Sequence, residues 1–144
     1  MNENEITICD WNTSKDDLLT VRFAVFVDEQ HVPIELELDE HDPNAIHILV
    51  RDSEKEPIAT GRMLSDGHIG RMAVLKDYRD QGIGTEILKN FIGIAKTQNL
   101  ENVFLDAQCN ALGFYERLGF KAYGDIFDDA GIPHRAMKLA LNQV

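Results

Sequence analysis

Met72-Ala73-Val74-Leu75-Lys76-Asp77-Tyr78-Arg79-Asp80-Gln81-Gly82-Ile83-Gly84-Thr85 is the stretch on which the fold turns. An apolar, strand-like segment runs into a loop holding two glycines separated by one residue. Apolar residues then recur at Ile83, Ile87, Leu88, Phe91, Ile94 and Ala95, the spacing of one helix face, in a run that reaches Asn99. Where a strand turns straight into a helix, unpaired backbone N–H groups and the positive end of the helix dipole point outward together, and such a place binds phosphate. Glycine lets those amides approach a diphosphate closely and tolerates positive φ.

Three phosphate-loop patterns compete for this stretch. A nucleoside triphosphate loop needs Lys-Ser/Thr directly after its second glycine, and Thr85-Glu86 stand there instead. A dinucleotide loop needs a small residue three positions after Gly84, where the chain has the β-branched Ile87. The remaining pattern, Arg79-x-x-Gly82-x-Gly84 after an apolar strand, resembles the acyl-coenzyme A loop of the GNAT N-acetyltransferase superfamily. A plain glycine turn that ends a strand is the other reading of so short a motif.

Composition narrows the classes. With 144 residues, 44% hydrophobic and 27% charged, the chain reads as one soluble globular domain spanning residues 1–144. No apolar run approaches a bilayer span, and the start Met1-Asn2-Glu3-Asn4-Glu5 is acidic where a signal peptide is basic, so the expectation is a cytoplasmic protein with no membrane partner. Cys9 and Cys109 lie far apart and read as free thiols, with no metal-ligand spacing. The net charge of −11 argues against nucleic acid and favours a cationic acceptor such as an amine. The same field opposes polyanionic coenzyme A, which local cations such as Lys76, Arg79 and Lys89 must offset.

Toward the N-terminus, Ile6 to Cys9 reads as a strand, and Ser14-Lys15-Asp16-Asp17 as a capping box that opens a helix from about Lys15 to Glu29. Leu18, Leu19, Phe23, Phe26 and Val27 form its apolar face, and Arg22 falls among them, either snorkelling to the rim or held by a carboxylate or ligand. Gln30 to Pro43 breaks the period with Pro33, Pro43 and the cluster Glu35, Glu37, Asp39, Glu40, His41 and Asp42, read as an acceptor-binding edge in which Glu29, Gln30, Asp39 and His41 join Arg22. Ile46–Val50, Pro57–Leu64 and His68–Leu75 follow as three strands on short turns, the second turn marked by Asp66-Gly67, which predicts an antiparallel meander. Val103–Ala107, reached through the helix, favours a parallel neighbour. The fold class is thus α/β of the α+β kind, a mixed, mostly antiparallel sheet flanked by helices.

The last third carries the second half of the resemblance. Ala107-Gln108-Cys109-Asn110-Ala111-Leu112-Gly113-Phe114-Tyr115-Glu116-Arg117-Leu118-Gly119-Phe120 is similar to the GNAT segment in which a helix with an apolar-Tyr pair stops at Gly-Phe. The Ala107-Gln108 form, with Val25-Phe26-Val27-Asp28-Glu29-Gln30 and Gly131-Ile132-Pro133-His134-x-x-Met137, resembles the ElaA-like branch, and the likeness spans Arg22 to Met137. It implies splayed central strands and acetyl-CoA as co-substrate, with no metal. The amides of Gln81, Gly82, Ile83, Gly84 and Thr85 would hold the pyrophosphate with Arg79 at its edge, Val74 would pair with the pantetheine arm like an added strand, and Ala73, Asp80 and Gln108 join them as cofactor contacts. The Met72 N–H would polarise the thioester carbonyl and Tyr115 would act as general acid toward the leaving sulfur. The acceptor, a small-molecule or peptide amine, must lose a proton before attack. His134 is the leading base beside the acidic loop, and His41 and His47 are weaker candidates. Two alternatives stay open: a non-catalytic acyl-CoA sensor, and an enzyme like the acyl-homoserine-lactone synthases, whose N-terminal pattern the Arg22-x-x-Val25-Phe26 stretch resembles. The chain is expected to be a monomer or a homodimer.

Overall fold

The computed structural model describes residues 4–34 and 39–141. Glu35 and Glu37 of the acidic loop lie outside the described residues. The chain opens with strand β1 (Glu5–Cys9) and helix α1 (Trp11–Arg22), which continues as a π-helical segment over Phe23–Glu29. Strands β2 (Ile46–Arg51), β3 (Pro57–Met63) and β4 (Ile69–Val74) follow. Helix α2 (Ile83–Thr97), strand β5 (Asn102–Gln108), the short helix α3 (Leu112–Arg117) and the long strands β6 (Lys121–Asp129) and β7 (Ile132–Ala140) complete it.

Helix α1 starts four residues before the expected Lys15. Asp10 is its cap, its carboxylate accepting the Thr13 N–H at 2.8 Å, and this early cap brings Trp11 into the helix to pack with Leu18 and Leu49. Asp17, read as the far corner of a capping box, instead meets Arg51 of β2 at 2.8 Å. The helical run does reach Glu29, but its last seven residues widen to π geometry, a distortion that recurs at functional sites.

The strands form two antiparallel sheets, β1-β2-β3-β4 and β5-β7-β6. The meander expected of β2 to β4 is present, with Gly67 donating to the Leu64 carbonyl in its second turn. The parallel neighbour expected for β5 is β4, but contact shrinks to one bridge between His68 and Phe104, where the Phe104 N–H donates to the Gly67 carbonyl at 3.1 Å. Beyond that point the two sheets separate.

A bulge in β4 helps to part them. Thr60 pairs with Ala73 and Arg62 with Gly70, so Arg71 and Met72 together face Gly61 alone. Arg71 takes the extra residue's twist at φ 51. Gly61 has no room for a side chain: a Cβ there would lie 2.8 Å from Ile87 Cγ2 and 2.9 Å from Met72 Sδ. Helix α2 packs there, burying Ile83, Ile87, Leu88, Phe91 and Ala95 against Ile48, Val50, Ile58, Met63, Leu105 and Met137. Each of these side chains larger than alanine stabilises the fold by about 1.5–3 kcal/mol, so the apolar period that announced α2 also welds the two sheets into one core.

Candidate active site

The V between β4 and β5 opens into a cleft of about 1080 Å³. Met72, Ala73 and Val74 form one wall, Leu105, Asp106 and Gln108 the other, and Gly82 to Thr85 close one end. Asp39, His41, Arg62, Arg71 and, from the start of β7, Ile132 and His134 also line the cleft.

Gly82 makes the phosphate end. It sits at the N-cap of α2 with φ 83, no side chain caps that helix, and a Cβ on it would meet no heavy atom within 4 Å. The first-turn amides of α2 therefore face a space that the chain itself leaves open, as an anionic diphosphate requires. Asp80, also left-handed at φ 63, turns the loop into that position. The free edge of β4 leads from there to Met72, whose side chain packs on the core while the residue borders the cleft. These features fit coenzyme A: open amides for the pyrophosphate and an unpaired strand edge for the arm.

Tyr115 enters from α3. It packs edge-on to Phe114 and Phe120, with ring centroids at 5.0 and 5.9 Å, and borders the cleft, while Phe114 lies against Gly84. Burial pushes its phenol up to about 12, so the hydroxyl keeps its proton throughout the neutral range. Gly119, with φ 99, stops the helix as expected, and the Phe120 N–H returns to the Tyr115 carbonyl at 3.2 Å.

The acetyltransferase (GNAT) domain model matches residues 11–141. The chain belongs to the GNAT acetyltransferase family. A Bacillus subtilis relative, named as the uncharacterized N-acetyltransferase YjcF, is 40% identical over 125 residues, covering 84% of this chain and 89% of the relative. Among solved structures, an acyl-CoA N-acyltransferase from Pseudomonas aeruginosa superposes with a TM-score of 0.85 at 27% identity, covering 96% of this chain and 100% of that one. Escherichia coli ElaA gives 0.83 at 26% identity, covering 94% and 99%. The protein is an acyl-CoA-dependent N-acetyltransferase, and the ElaA-like likeness read from three short segments holds for the whole fold.

The acetyltransferase gathers most of the expected site residues around its cleft. Met72, Ala73, Val74, Arg79, Asp80, Gly82, Ile83, Gly84, Thr85, Gln108, Tyr115, Gln30, Asp39, His41 and His134 all border it. Gln81 and Glu29 lie outside the lining, Gln81 reaching back to the Asp77 carbonyl at 3.4 Å. Gln30 and Gln108 meet directly, Gln108 Nε2 donating to Gln30 Oε1 at 2.9 Å and tying the end of the π-helical segment to β5. His134 stands opposite Gln108 on β7; its Nδ1 donates to the Ile132 carbonyl at 2.7 Å, since a carbonyl only accepts, and its Nε2 lone pair is thereby left available.

Arg22 is the clear departure. Its guanidinium is 1% exposed, forks onto Asp42 at 3.0 Å through both oxygens, and lies over the Trp11 ring at 5.3 Å. It supports the cleft from beneath and does not line it, because a guanidinium carried into an apolar face is stable only when a carboxylate meets it there. Asp42 also accepts from Arg62 at 2.8 Å, and Arg62 and Arg71 converge on Asp39 at 3.0 and 3.1 Å. Although burial opposes their charge, these bonds, with the His41 amide on Asp39, hold both carboxyls below the usual carboxylate range. A carboxyl kept ionised in this way is a poorer proton acceptor than an ordinary one. His47 is structural: buried, its Nε2 donates to the Asp42 carbonyl at 2.9 Å.

The sequence reading passed over Arg62, Arg71, His68 and Asp106, all of which border the cleft. Arg62 did leave a signal, a cation inside the apolar strand Ile58-Ala59-Thr60-Gly61-Arg62-Met63.

Proposed function

We propose that the protein moves an acetyl group from acetyl-CoA to a primary amine, by direct attack with both partners bound in the cleft. The observation that carries this reading is the continuity of one cleft from the open amides at Gly82, along the free edge of β4, to Tyr115 and His134. Acetyl-CoA supplies the activated acyl group and a thiolate leaving group. The amides from Gln81 to Thr85 hold its pyrophosphate, with Arg79 at the edge, and Ala73 and Val74 bind the pantetheine arm as an added strand would. Gln108 borders that arm on the opposite wall.

His134 Nε2 takes a proton from the acceptor ammonium, which has no lone pair until then. The Met72 N–H faces the carbonyl oxygen as negative charge develops on it. Tyr115 delivers its phenolic proton to the departing sulfur, a role that suits a hydroxyl kept protonated by burial. Gln30, Asp39 and His41 border the acceptor; Arg22 stays within the support beneath it.

Calorimetric titration of acetyl-CoA tests the cofactor site, with Gly82→Val alongside. A side chain there strains a left-handed backbone and fills the open space before the α2 amides. Binding that the variant abolishes supports the reading and justifies screening amines for acetylation. No heat from the intact protein sinks it.

A further inference from the structure

Arg79 borders the cleft beside the pyrophosphate end, yet its terminal nitrogens are engaged within the chain: Nη1 and Nη2 donate to Glu29 Oε2 and Oε1, each at 2.7 Å. A carboxylate in a guanidinium fork presents two anionic oxygens in the geometry that a phosphate group also presents. Glu29 lies at the end of the π-helical segment, outside the cleft lining, and 50 residues from Arg79 along the chain. The pair is part-exposed, at 35% and 40%, where ion pairs are weak and exchange readily.

Arg79 does not need Glu29 to stay in place. Its Nε donates separately to the Val74 carbonyl at 2.9 Å, which anchors the side chain to the end of β4. Lys76 and Asp80 are the other charges acting on this pair. An anionic Glu29 beside the subsite also repels a diphosphate that approaches it.

We propose that Glu29 is an internal competitor for the pyrophosphate of acyl-CoA, its carboxylate holding the Arg79 fork until the pyrophosphate takes the fork over. This rests on the acyl-CoA site proposed above and assigns to Glu29, read from sequence as an acceptor contact, a part in setting cofactor affinity. Glu29 then acts as an affinity-setting residue, and Arg79 as the group that both anions share.

The test is a double-mutant cycle read by calorimetry with coenzyme A at one ionic strength, using Glu29→Gln, Arg79→Gln and the double variant, each checked for folding by thermal melting. Glu29→Gln is expected to bind coenzyme A about three- to tenfold more tightly, and the gain should vanish when Arg79 is already Gln. Glu29→Asp, too short to span both nitrogens without moving, should show a smaller gain and serves as the second variant if Gln disturbs folding. Equal or weaker binding by the Glu29 variants, or a gain that survives loss of Arg79, overturns the proposal and makes the pair a brace for the loop. Failure of both the intact protein and Glu29→Gln to bind coenzyme A sinks the cofactor site itself, an outcome distinct from the first and equally decisive.

Discussion

Arg22 and Asp42 close a forked ion pair inside the fold, both contacts at 3.0 Å and both side chains 1% exposed. Asp42 also holds Arg62, so its charge serves two cations, Arg22 outside the cleft lining and Arg62 on it. Asp42→Asn removes the carboxylate that both guanidinium groups share, leaving Arg62 to Asp39 alone, and should cost about 3–5 kcal/mol of unfolding free energy, measured by urea denaturation at neutral pH. A loss under 1 kcal/mol would mean that the network is not what supports the cleft.

Acid should unfold the protein in two stages. Burial, opposed only in part by its bond to the Asp42 carbonyl, holds the His47 imidazole below its ordinary value. The unfolded chain therefore takes up that proton first, and stability begins to fall as pH drops below about 6.5. Asp39 and Asp42 titrate below the ordinary carboxylate value despite their burial, so their contribution is intact above about pH 4 and is lost as pH falls through their lowered folded values. His47→Gln should remove the upper stage and leave the lower one, as read from urea midpoints at stepped pH.

Tyr115→Phe removes the proposed acid without disturbing its aromatic contacts with Phe114 and Phe120. Turnover with an accepted amine should fall by about 10²–10⁴-fold, while coenzyme A affinity changes little. Because the phenol is pushed up to about 12, the intact enzyme should show no loss of rate near pH 10, where an ordinary tyrosine ionises. An alkaline limb at pH 10 that disappears in the Phe variant would contradict the assignment.

His134→Asn keeps an N–H at the δ position for the Ile132 carbonyl and removes the Nε2 lone pair. A fall in kcat of about 100-fold or more with unchanged coenzyme A binding is expected. Near-normal turnover would transfer the role of base to another group bordering the cleft, such as His41 or His68.

Gly61→Ala places a methyl group 2.8 Å from Ile87 Cγ2 and 2.9 Å from Met72 Sδ. The overpacking should destabilise the fold by about 1–3 kcal/mol. It should also weaken acetyl-CoA binding, because relief comes through Met72 and the bulge that carries it. Calorimetry beside thermal unfolding separates the two effects.

The legible parts of this protein were those written in short-range chemistry. The 3.6 period from Ile83 to Ala95, the Gly82-x-Gly84 turn, the Asp66-Gly67 hairpin and the Gly119 stop each act through neighbouring backbone, and each appears in the structure close to where it was read. The start of α1 was misread because Asp10 and Ser14 are both competent caps, and burial of Trp11 selected the earlier one.

Sequence by itself determined the meander, the phosphate-type turn, the helix that carries Tyr115 and membership of the family, since those depend on local backbone preference and on spacing along the chain. Only the tertiary structure decided which partner each charge would take. Arg22 could have reached a ligand as readily as a carboxylate, and Glu29 an acceptor as readily as Arg79, until folding brought residues 20 and 50 positions apart within 3.0 and 2.7 Å. The bulge at Arg71 and Met72, opposite Gly61 where α2 packs, likewise leaves no local mark in the sequence, and the splay of the central strands was implied by the family resemblance alone. Ion pairing and steric fit act through space between distant segments, so their outcome is set when the core closes.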